Sequence, residues 1–212
     1  MIRGLVVDDH AVVRKGMVQI LSDLGLTSEV SVDEASTGVE MLRIVRERPY
    51  DFMLLDIALP DMNGLEALKQ LRTFQPELPV LVLSIYSEKQ YALRALQAGA
   101  SGYLTKESAP EELLVAVRHA LQGQRYISRG VADALTEGLL RGTPEPTHES
   151  LSDREFEVLC ILGQGRTISQ IAEHLSLSPK TVSTYRRRIL TKLELTTTAE
   201  LIQYAVRNDL VK

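Results

Sequence analysis

The segment Phe52-Met53-Leu54-Leu55-Asp56 is an apolar run that ends in a carboxylate, and the turn-forming residues Pro60-Asp61-Met62-Asn63-Gly64 follow shortly after it. A continuous apolar run of this length indicates a strand buried on both faces, as in a parallel sheet covered by helices. An acid that ends such a strand lies at the carboxyl edge of the sheet. This stretch therefore predicts both a class of fold and the position of a functional group.

Similar apolar runs alternate with amphipathic stretches over the first part of the chain. Five strands that alternate with five helices predict an α/β doubly wound, flavodoxin-like (βα)5 domain with a parallel sheet. The first helix starts near Ala11, and it places Val12, Met17, Ile20, Leu21 and Leu24 on one broad apolar face. The remaining predicted strands are 5–7, 29–32, 79–83 and 102–104, and the remaining predicted helices cover about 37–47, 65–74, 88–97 and 110–121.

The second part of the chain has a purely helical pattern. Residues 141–150 contain a glycine, two prolines and polar side chains, which indicates a linker, and a further helix is predicted before it, over about 129–140. Ser152 and Glu155 form a capping-box pattern, and Ser178-Pro179 is an N-cap followed by proline at the first helical position. The four predicted helices cover about 153–162, 168–175, 179–193 and 198–207.

The charge of the chain is distributed unevenly. The net charge of −4 arises from −4 in residues 1–125, −2 in residues 126–149 and +2 in residues 150–212, an asymmetry that hints at a nucleic-acid partner for the basic part. No apolar run approaches the ~18–20 residues that span a bilayer, and the N-terminal run is too short for a signal peptide. The single cysteine, Cys160, cannot form an internal disulfide and is interpreted as a core residue. We therefore expect a cytoplasmic protein with no membrane partner.

Polar side chains end four of the predicted strands. Asp8 and Asp9 follow the first strand, Asp56 ends the third, Ser84 ends the fourth and Lys106 follows the fifth. In a strand order of 2-1-3-4-5 these groups converge at the carboxyl edge, where open α/β sheets bind ligands. Three clustered carboxylates need a cation, and oxygen ligands suit Mg²⁺. A lysine supplies a point charge for a phosphoryl oxygen, so the arrangement supports attack of a carboxylate on phosphorus.

Other interpretations of these acids are less favoured. Each acid could merely cap a helix, but five polar groups at successive strand ends favour a shared pocket. A phosphohydrolase of the haloacid dehalogenase type needs a second Asp two residues after its nucleophile, where this chain has Ala58. The chain also lacks a Gly-x-Ser-x-Gly elbow, a Walker loop and a His/Cys metal cluster. We therefore predict a phosphate acceptor that is not an enzyme, with His10, His119, His148 and His174 in solvated or capping roles.

The segments that carry these groups resemble the receiver domain of two-component response regulators. They are Val7-Asp8-Asp9-His10, residues 55–64, Leu83-Ser84 and residues 98–106, and the resemblance extends over residues 1–122. One departure is Leu59, where the family often has Met; the side chain is apolar in both cases. Residues 123–148 are then a linker with a possible extra helix.

The resemblance to receiver domains implies a role for each polar group. Asp56 is implied to be the phosphoacceptor, Asp9 a direct Mg²⁺ ligand, and Asp8 a ligand through water. The backbone carbonyl of Ala58 is implied to complete the protein's share of the metal shell, and Lys106 to pair with the phosphoryl group. The hydroxyl and the aromatic residue that switch on phosphorylation are implied to be Ser84 and Tyr103.

The segment from Ser178 to Lys192 carries five basic residues and no acid. The apolar residues Val182 and Ile189, together with Leu193 directly after the segment, form one seam at spacings of seven and four. A solvated helix rich in arginine would also give this pattern. A short helix over 168–175 and a turn over 176–178 precede it, however, and this order is the helix-turn-helix plan. The polar face away from the seam, which suits the DNA major groove, contains Lys180, Ser183, Thr184 and Arg187.

This region resembles the LuxR-type domain of NarL/FixJ response regulators over residues 149–212. The resemblance rests on 151–155, 165–172 and 177–185. Tyr185 departs from the His that is common in the family, which leaves its role in a dimer or phosphate contact open. The resemblance implies base contacts from Ser183, Thr184 and Arg187, and DNA backbone contacts from Lys180, Thr181, Arg188 and Lys192.

The two resemblances together predict a transcription factor whose DNA binding is controlled by phosphorylation of Asp56. They imply three partners: a sensor histidine kinase that donates the phosphoryl group, double-stranded DNA, and a second copy of the chain in a homodimer that forms on phosphorylation. The alternative is a phosphorylation-independent DNA-binding regulator with a vestigial acidic pocket. The complete set of Asp8, Asp9, Asp56, Ser84 and Lys106 argues against that alternative.

Overall fold

The structure, a computed structural model, describes residues 1–22, 30–86, 88–108, 110–133 and 148–211. The chain divides into two compact units, Met1–Glu137 and Gly138–Lys212. Within the described ranges, no helix is both long and apolar enough to cross a membrane. The domain boundaries at 122 and 148 stay predictions, and residues 134–147 lie outside the described ranges.

The first unit is built on a five-stranded sheet in the order β2-β1-β3-β4-β5, and all four neighbouring pairs are parallel. Every residue of β3 and β4 is buried, as the continuous apolar runs predict. The predicted doubly wound α/β fold is therefore confirmed. The strands are β1 (Ile2–Val7), β2 (Val30–Ala35), β3 (Phe52–Asp56), β4 (Val80–Ser84) and β5 (Gly102–Thr105).

Five helices connect or follow these strands. α1 and α5 share one core cluster with the strands, while α2 and α3 contact each other, as expected when parallel strands are joined by right-handed crossovers. Thr37 and Asn63 cap α2 and α3, accepting the backbone N–H groups of Glu40 and Leu65. The helices are α1 (Ala11–Ser22), α2 (Gly38–Glu47), α3 (Gly64–Arg72), α4 (Glu88–Gln97) and α5 (Pro110–Leu121).

Within the described residues, the predicted apolar face of α1 is confirmed at Met17, Ile20 and Leu21 and wrong at its first member. Met17 and Leu21 are buried, but Val12 is 84% exposed, so its prediction as a buried residue is wrong. Val12 lies five residues before Met17, which is about 140° around a helix of 3.6 residues per turn. Val13 takes its place against the core. Leu24 lies outside the described residues.

The segment after α5 attaches to the edge of the sheet, which the sequence pattern did not predict. Tyr126 forms a parallel bridge with Gly102 of β5, and its N–H donates to the carbonyl of Ser101 at 2.8 Å. Residues 129–133 are helical, and the rest of the predicted extra helix, 134–140, lies outside the described residues. The described segment after α5 thus packs against β5.

The second unit consists of helices packed around α6. All but the last residue of α6 are buried, and α6 contacts the three helices that follow it. The predicted capping box of Ser152 and Glu155 and the N-cap of Ser178 with Pro179 are confirmed. After a short 3-10 helix, His148–Ser150, the helices are α6 (Asp153–Gly163), α7 (Ile168–His174), α8 (Pro179–Lys192) and α9 (Thr198–Arg207).

Three of these helices end in the left-handed conformation without glycine. Ser176, Glu194 and Asp209 have φ between 53° and 55°. After α7, the N–H of Ser176 donates to Glu173 and that of Leu177 to Ala172, which is the Schellman pattern. The pattern turns the chain sharply between α7 and α8, so the helix-turn-helix geometry is present.

The turn that follows β3 requires glycine at its end. The N–H of Gly64 donates to the carbonyl of Ile57 at 2.7 Å. A Cβ at Gly64 would lie 2.0 Å from the backbone oxygen of Asp56, whereas a Cβ at Gly16 of α1 would meet nothing within 4 Å. The close approach of the turn to the end of β3 therefore excludes any side chain at position 64.

We expect Gly64→Ala to lower the free energy of unfolding of the first unit by at least about 1–3 kcal/mol, because the backbone must shift to admit the new methyl group. Gly16→Ala is the matched control and should raise it by about 0.5–1 kcal/mol, since alanine is favoured in an exposed helix interior. Calorimetric unfolding of both full-length variants checks this, and a Gly64→Ala protein as stable as the wild type would contradict it.

Candidate functional site

The three predicted carboxylates meet at the carboxyl edge of the sheet. β1 and β3 are parallel neighbours in which Val7 pairs with Leu55, so Asp8 and Asp56 occupy adjacent strand ends. The side chains of Asp8 and Asp56 are 1% and 2% exposed, whereas that of Asp9 is 33% exposed. One possible ligand atom from each of Asp8, Asp9, His10 and Asp56 lies within 4.8 Å of the others. These residues form a cluster that could hold a metal ion.

Lys106 bridges the two buried carboxylates. Its Nζ lies 2.7 Å from Asp8 Oδ2 and 2.7 Å from Asp56 Oδ2, and its side chain is 14% exposed. The backbone N–H of Lys106 donates to the carbonyl of Ser84 at 2.7 Å, which holds the residue at the end of β5. The structure therefore brings four of the sequence-predicted residues, Asp8, Asp9, Asp56 and Lys106, into one pocket.

Burial and charge oppose each other at this pocket. Burial raises the pKa of Asp56 to about 6, although the Lys106 ammonium acts to lower it. Burial alone would lower the pKa of Lys106, but Asp56 and Asp8 hold it above its ordinary value. Lys106 supplies one positive charge for three carboxylates. The remaining negative charge could be neutralised by a divalent cation.

The loop between β3 and α3 is fixed by hydrogen bonds at several points. The N–H of Ala58 donates to Asp56 Oδ1 at 3.3 Å, so the backbone at Ala58 lies beside the phosphoacceptor candidate. The Asp61 carboxylate accepts the N–H groups of Gly38 and Val39 at 2.9 and 2.8 Å, which ties the loop to the start of α2. This network defines where the carbonyl of Ala58 lies relative to the acids.

The two predicted switch residues both contact the backbone of Tyr86. Ser84 Oγ accepts the N–H of Tyr86 at 3.1 Å, and the hydroxyl of Tyr103 donates to the carbonyl of Tyr86 at 2.8 Å. Ser84 and Tyr103 are buried, and the ring of Tyr86 stacks on that of Tyr91 with centroids 4.7 Å apart. The segment after β4 thus connects the two residues.

In the second unit, α8 presents a polar and basic surface. Its seam residues Val182 and Ile189 are fully buried, which confirms the predicted apolar face. Tyr185 lines a shallow depression together with Lys180, Thr181, Thr184 and Arg188. The predicted DNA-contacting residues that are exposed are Lys180, Ser183, Arg187, Arg188 and Lys192, and those that are half-buried are Thr181 and Thr184.

Two basic residues of α8 are engaged within the domain. Lys192 Nζ donates to Glu155 Oε2 at 2.7 Å and to the carbonyl of Ser150 at 3.3 Å. Arg186 Nη1 donates to the hydroxyl of Thr198 at 2.7 Å. These bonds hold α8 to the start of α6 and to the start of α9, so the basic segment has a structural part as well as an exposed one.

Sequence reasoning missed two residues at the first pocket, Arg14 and Glu34. Arg14 Nη1 donates to the carbonyl of Asp8 at 2.7 Å, and its Nε donates to Glu34 Oε2 at 2.9 Å. His10, predicted to be solvated or capping, has a 67% exposed side chain, with Nδ1 2.5 Å from Asp9 Oδ1. Arg14 and Glu34 are 20 residues apart, so no sequence motif joins them.

Comparison with known families agrees with both units. Residues 5–118 match the family described as Response regulator receiver domain, and residues 149–205 match Bacterial regulatory proteins, luxR family. Over 216 residues the chain is 39% identical to Response regulator GacA of Pseudomonas aeruginosa, covering 100% of this chain and 98% of that protein. It is 36% identical over 213 residues to Response regulator UvrY of Escherichia coli strain K12, covering 99% and 96% respectively.

The solved structures include a similar fold bound to DNA. RcsB from Salmonella enterica serovar Typhimurium, bound to promoter rprA in the presence of the phosphomimetic BeF3−, is 22% identical with a TM-score of 0.64. The match covers 97% of this chain and 99% of that one. At this identity the likeness concerns the fold alone.

A receiver domain joined to a LuxR-type DNA-binding domain is the architecture of a two-component response regulator. Within that class, the chain belongs to the NarL/FixJ family. Members of this family are DNA-binding transcription regulators, and their receiver domains imply a sensor kinase as partner.

The contact between Lys192 and Glu155 generates a stability prediction. Lys192→Met should lower the free energy of unfolding of the second unit by about 1–2 kcal/mol, because Glu155 stays buried without its cation. The expected loss of stability is modest because the side chain of Lys192 is 40% exposed, so that solvent screens its charge. Arg188→Met, an exposed change on the same helix, should stay within about 0.5 kcal/mol of the wild type in calorimetric unfolding.

The same contact predicts a pH dependence. Burial alone would raise the pKa of Glu155, but hydrogen bonds from Lys192 and from the N–H of Ser152 bring it below its ordinary value of 4.5. A depressed folded-state pKa stabilises the fold above pH 4.5, and this contribution is lost as the pH falls through the folded-state value. The difference in stability between wild type and Lys192→Met should therefore shrink on acidification, and a difference independent of pH would contradict the prediction.

Proposed function

We propose that this protein accepts a phosphoryl group on Asp56 from a partner sensor histidine kinase, and that phosphorylation controls binding of its LuxR-type domain to DNA. The observation that carries the proposal is the pair of buried carboxylates, Asp8 and Asp56, bridged by Lys106 at the carboxyl edge of a parallel sheet. Buried acids are costly, and an arrangement that concentrates them beside a lysine suits binding of a phosphoryl group and its cation.

The residues of the pocket have distinct parts in the transfer. An oxygen of Asp56 forms a bond to phosphorus while the bond between phosphorus and the histidine nitrogen of the donor breaks, and the electron pair of that bond leaves with the donor. Lys106, which now contacts Asp56 Oδ2, is within reach to pair with an oxygen of the transferred group. The product is an acyl phosphate on Asp56, and the protein ends the step as a phosphoprotein and not as a turnover enzyme.

The donor set of the pocket fits Mg²⁺. Carboxylate oxygens of Asp8, Asp9 and Asp56 lie close together, and the backbone of Ala58 is adjacent, so the ligands offered are the hard oxygens that Mg²⁺ prefers. We assign Asp9 and Asp56 as direct ligands together with the carbonyl of Ala58, and Asp8 as a ligand through water. When bound, the ion neutralises negative charge and stabilises the ionised form of Asp56.

Ser84 and Tyr103 are proposed to report phosphorylation. The Ser84 hydroxyl now accepts the N–H of Tyr86, and turning toward a phosphoryl oxygen would change that contact. Tyr103 donates to the carbonyl of the same residue, so both side chains would respond together. The segment after β4 is therefore the proposed route from the pocket to the surface of the receiver.

The proposed DNA interface is the exposed face of α8. Ser183, Thr184 and Arg187 are assigned to base edges, and the phosphate contacts are assigned to Lys180, Thr181 and Arg188. Lys192 remains a candidate for a phosphate contact, although its ammonium already donates to Glu155 and Ser150. The RcsB complex supports double-stranded DNA as the ligand of this fold.

The phosphorylated protein is further proposed to act as a homodimer in the cytoplasm, where its kinase partner and its DNA are accessible. Two recognition helices would then meet half-sites about one helical turn apart. A phosphorylation-independent regulator with a vestigial pocket is the competing function. The intact bridge between Lys106 and the two acids favours control by phosphorylation over this competing function.

The phosphorylation site can be tested by mass spectrometry of intact proteins treated with acetyl phosphate and Mg²⁺. The wild type should gain one phosphoryl group, and Asp56→Asn should gain none because it lacks the nucleophilic oxygen. Asp51→Asn, which changes an exposed acid just before β3, is the matched control and should behave as the wild type. Equal gain of phosphate by wild type and Asp56→Asn would sink the assignment.

The mode of DNA reading can be tested with a site selected by the wild type from random DNA. Arg187→Ala should cost roughly 1–3 kcal/mol on that site and should reduce discrimination against scrambled DNA. Arg188→Ala is the matched comparison; it should weaken binding to both DNAs alike and reduce the salt slope by about one unit. Affinities over a salt series decide the matter. A uniform loss for Arg187→Ala, with discrimination intact, would show that it does not read bases.

A further inference from the structure

Arg14 of α1 connects the acidic pocket to the neighbouring strand. Its side chain is 16% exposed; Nη1 donates to the carbonyl of Asp8 at 2.7 Å, and Nε donates to Glu34 Oε2 at 2.9 Å. Glu34 lies in β2, which pairs with β1 directly beside the pocket. One guanidinium thus holds the backbone of the pocket on one side and the sheet on the other.

We propose that Arg14 and Glu34 position Asp9 for the divalent cation and thereby set the metal affinity of the pocket, an inference that rests on the proposed function. The carbonyl that Arg14 holds belongs to the peptide unit that joins Asp8 to Asp9. Fixing this oxygen fixes the plane of that peptide, and with it the direction in which the chain enters Asp9.

Asp9 needs this support because it lies beyond the last strand residue of β1, Val7. Asp8 is held by its N–H, which donates to Ala35 at 3.1 Å, and by its Oδ1, which accepts the N–H of His10 at 2.8 Å. The side chain of Asp9 is 33% exposed, and its Oδ1 lies 2.5 Å from Nδ1 of the His10 ring. His10 contacts the carboxylate, whereas the direction in which the side chain leaves the backbone depends on the peptide units on either side, and Arg14 anchors the first of them.

The chemistry of the pair explains why arginine and a carboxylate are both needed. A guanidinium offers several N–H donors in a rigid fork, so it can serve two acceptors in fixed directions, whereas a lysine ammonium is a single point on a flexible stem. Glu34 also neutralises the charge of Arg14. Without Glu34, the guanidinium would hold the Asp8 carbonyl less rigidly and would leave an uncompensated positive charge at the pocket, which disfavours a divalent cation. Both geometry and charge balance therefore favour metal binding most when the pair is complete.

The test is a calorimetric titration of the full-length protein with Mg²⁺ in the absence of any phosphate donor. Arg14→Gln should raise the Kd for Mg²⁺ about 10-fold, as found for residues that orient metal ligands, and Arg14→Lys should also raise it because one of the two contacts is lost. Glu34→Gln should raise it by a smaller factor. Arg43→Gln, which breaks an exposed ion pair with Glu47 on α2, is the matched control and should leave it unchanged.

A second measurement separates positioning from a merely structural role. With acetyl phosphate as donor, the Mg²⁺ concentration that gives half-maximal phosphorylation of Asp56 should shift upward in Arg14→Lys and Glu34→Gln. The extent reached at saturating Mg²⁺ should be retained. If Arg14 and Glu34 only held α1 to β2, the substitutions would lower the unfolding temperature without moving this midpoint.

The outcomes distinguish the inference from the function on which it rests. A wild type that binds no Mg²⁺ would overturn the proposed function, and this inference with it. A wild type that binds Mg²⁺, with Arg14→Gln, Arg14→Lys and Glu34→Gln equal to it, would overturn the inference alone. If Arg14→Gln fails to fold, the other two variants decide the result.

Discussion

The ammonium of Lys106 lies 2.7 Å from an oxygen of Asp8 and 2.7 Å from an oxygen of Asp56, and burial of the two acids together depends on this bridge. Two unscreened carboxylates repel each other strongly where water is excluded. Lys106 follows β5, whereas Asp56 ends β3, and β4 lies between these strands. Two strand spacings amount to about 10 Å, so only a long, flexible side chain can cover the distance. The strand order therefore sets the distance that the positive charge must cover, and the length of the lysine side chain allows it to reach both acids.

Local patterns accounted for most of the fold and for the core of the pocket. Apolar runs such as 52–56 specify buried parallel strands, and caps such as Ser178-Pro179 mark where helices begin. The carboxyl ends of parallel strands necessarily meet at one edge of the sheet. The sequence therefore predicts that Asp8, Asp56 and Lys106 lie together. The contacts that escaped prediction join residues distant in sequence. Glu155 and Lys192 are 37 residues apart, and Arg14 and Glu34 are 20 apart, so only tertiary packing brings each pair together.

Helix α8 shows that the number of basic residues in a segment does not determine which of them are exposed. Five basic residues along α8 suggest one positive surface, but their surroundings divide them. Arg186 bonds to Thr198 and Lys192 bonds to Glu155, so these two fix the helix within its domain. Lys180, Arg187 and Arg188 remain exposed. A count of charges in the sequence cannot make this distinction, because it depends on which face of α8 meets α6 and α9. The position of α8 in its domain is thus maintained by residues of the same chemical type as those proposed to contact DNA.

A single oxygen of Glu155 accepts the N–H of Ser152 at 2.8 Å and the ammonium of Lys192 at 2.7 Å. The first turn of α6 and the last turn of α8 therefore share one acceptor. If this shared acceptor makes the two ends open together, amide exchange would detect a common free energy of local opening. A ligand that orders α8 would then protect the start of α6 as well, at a distance from the surface it touches. Ligand binding at α8 and the local folding of α6 would in that case be parts of the same equilibrium.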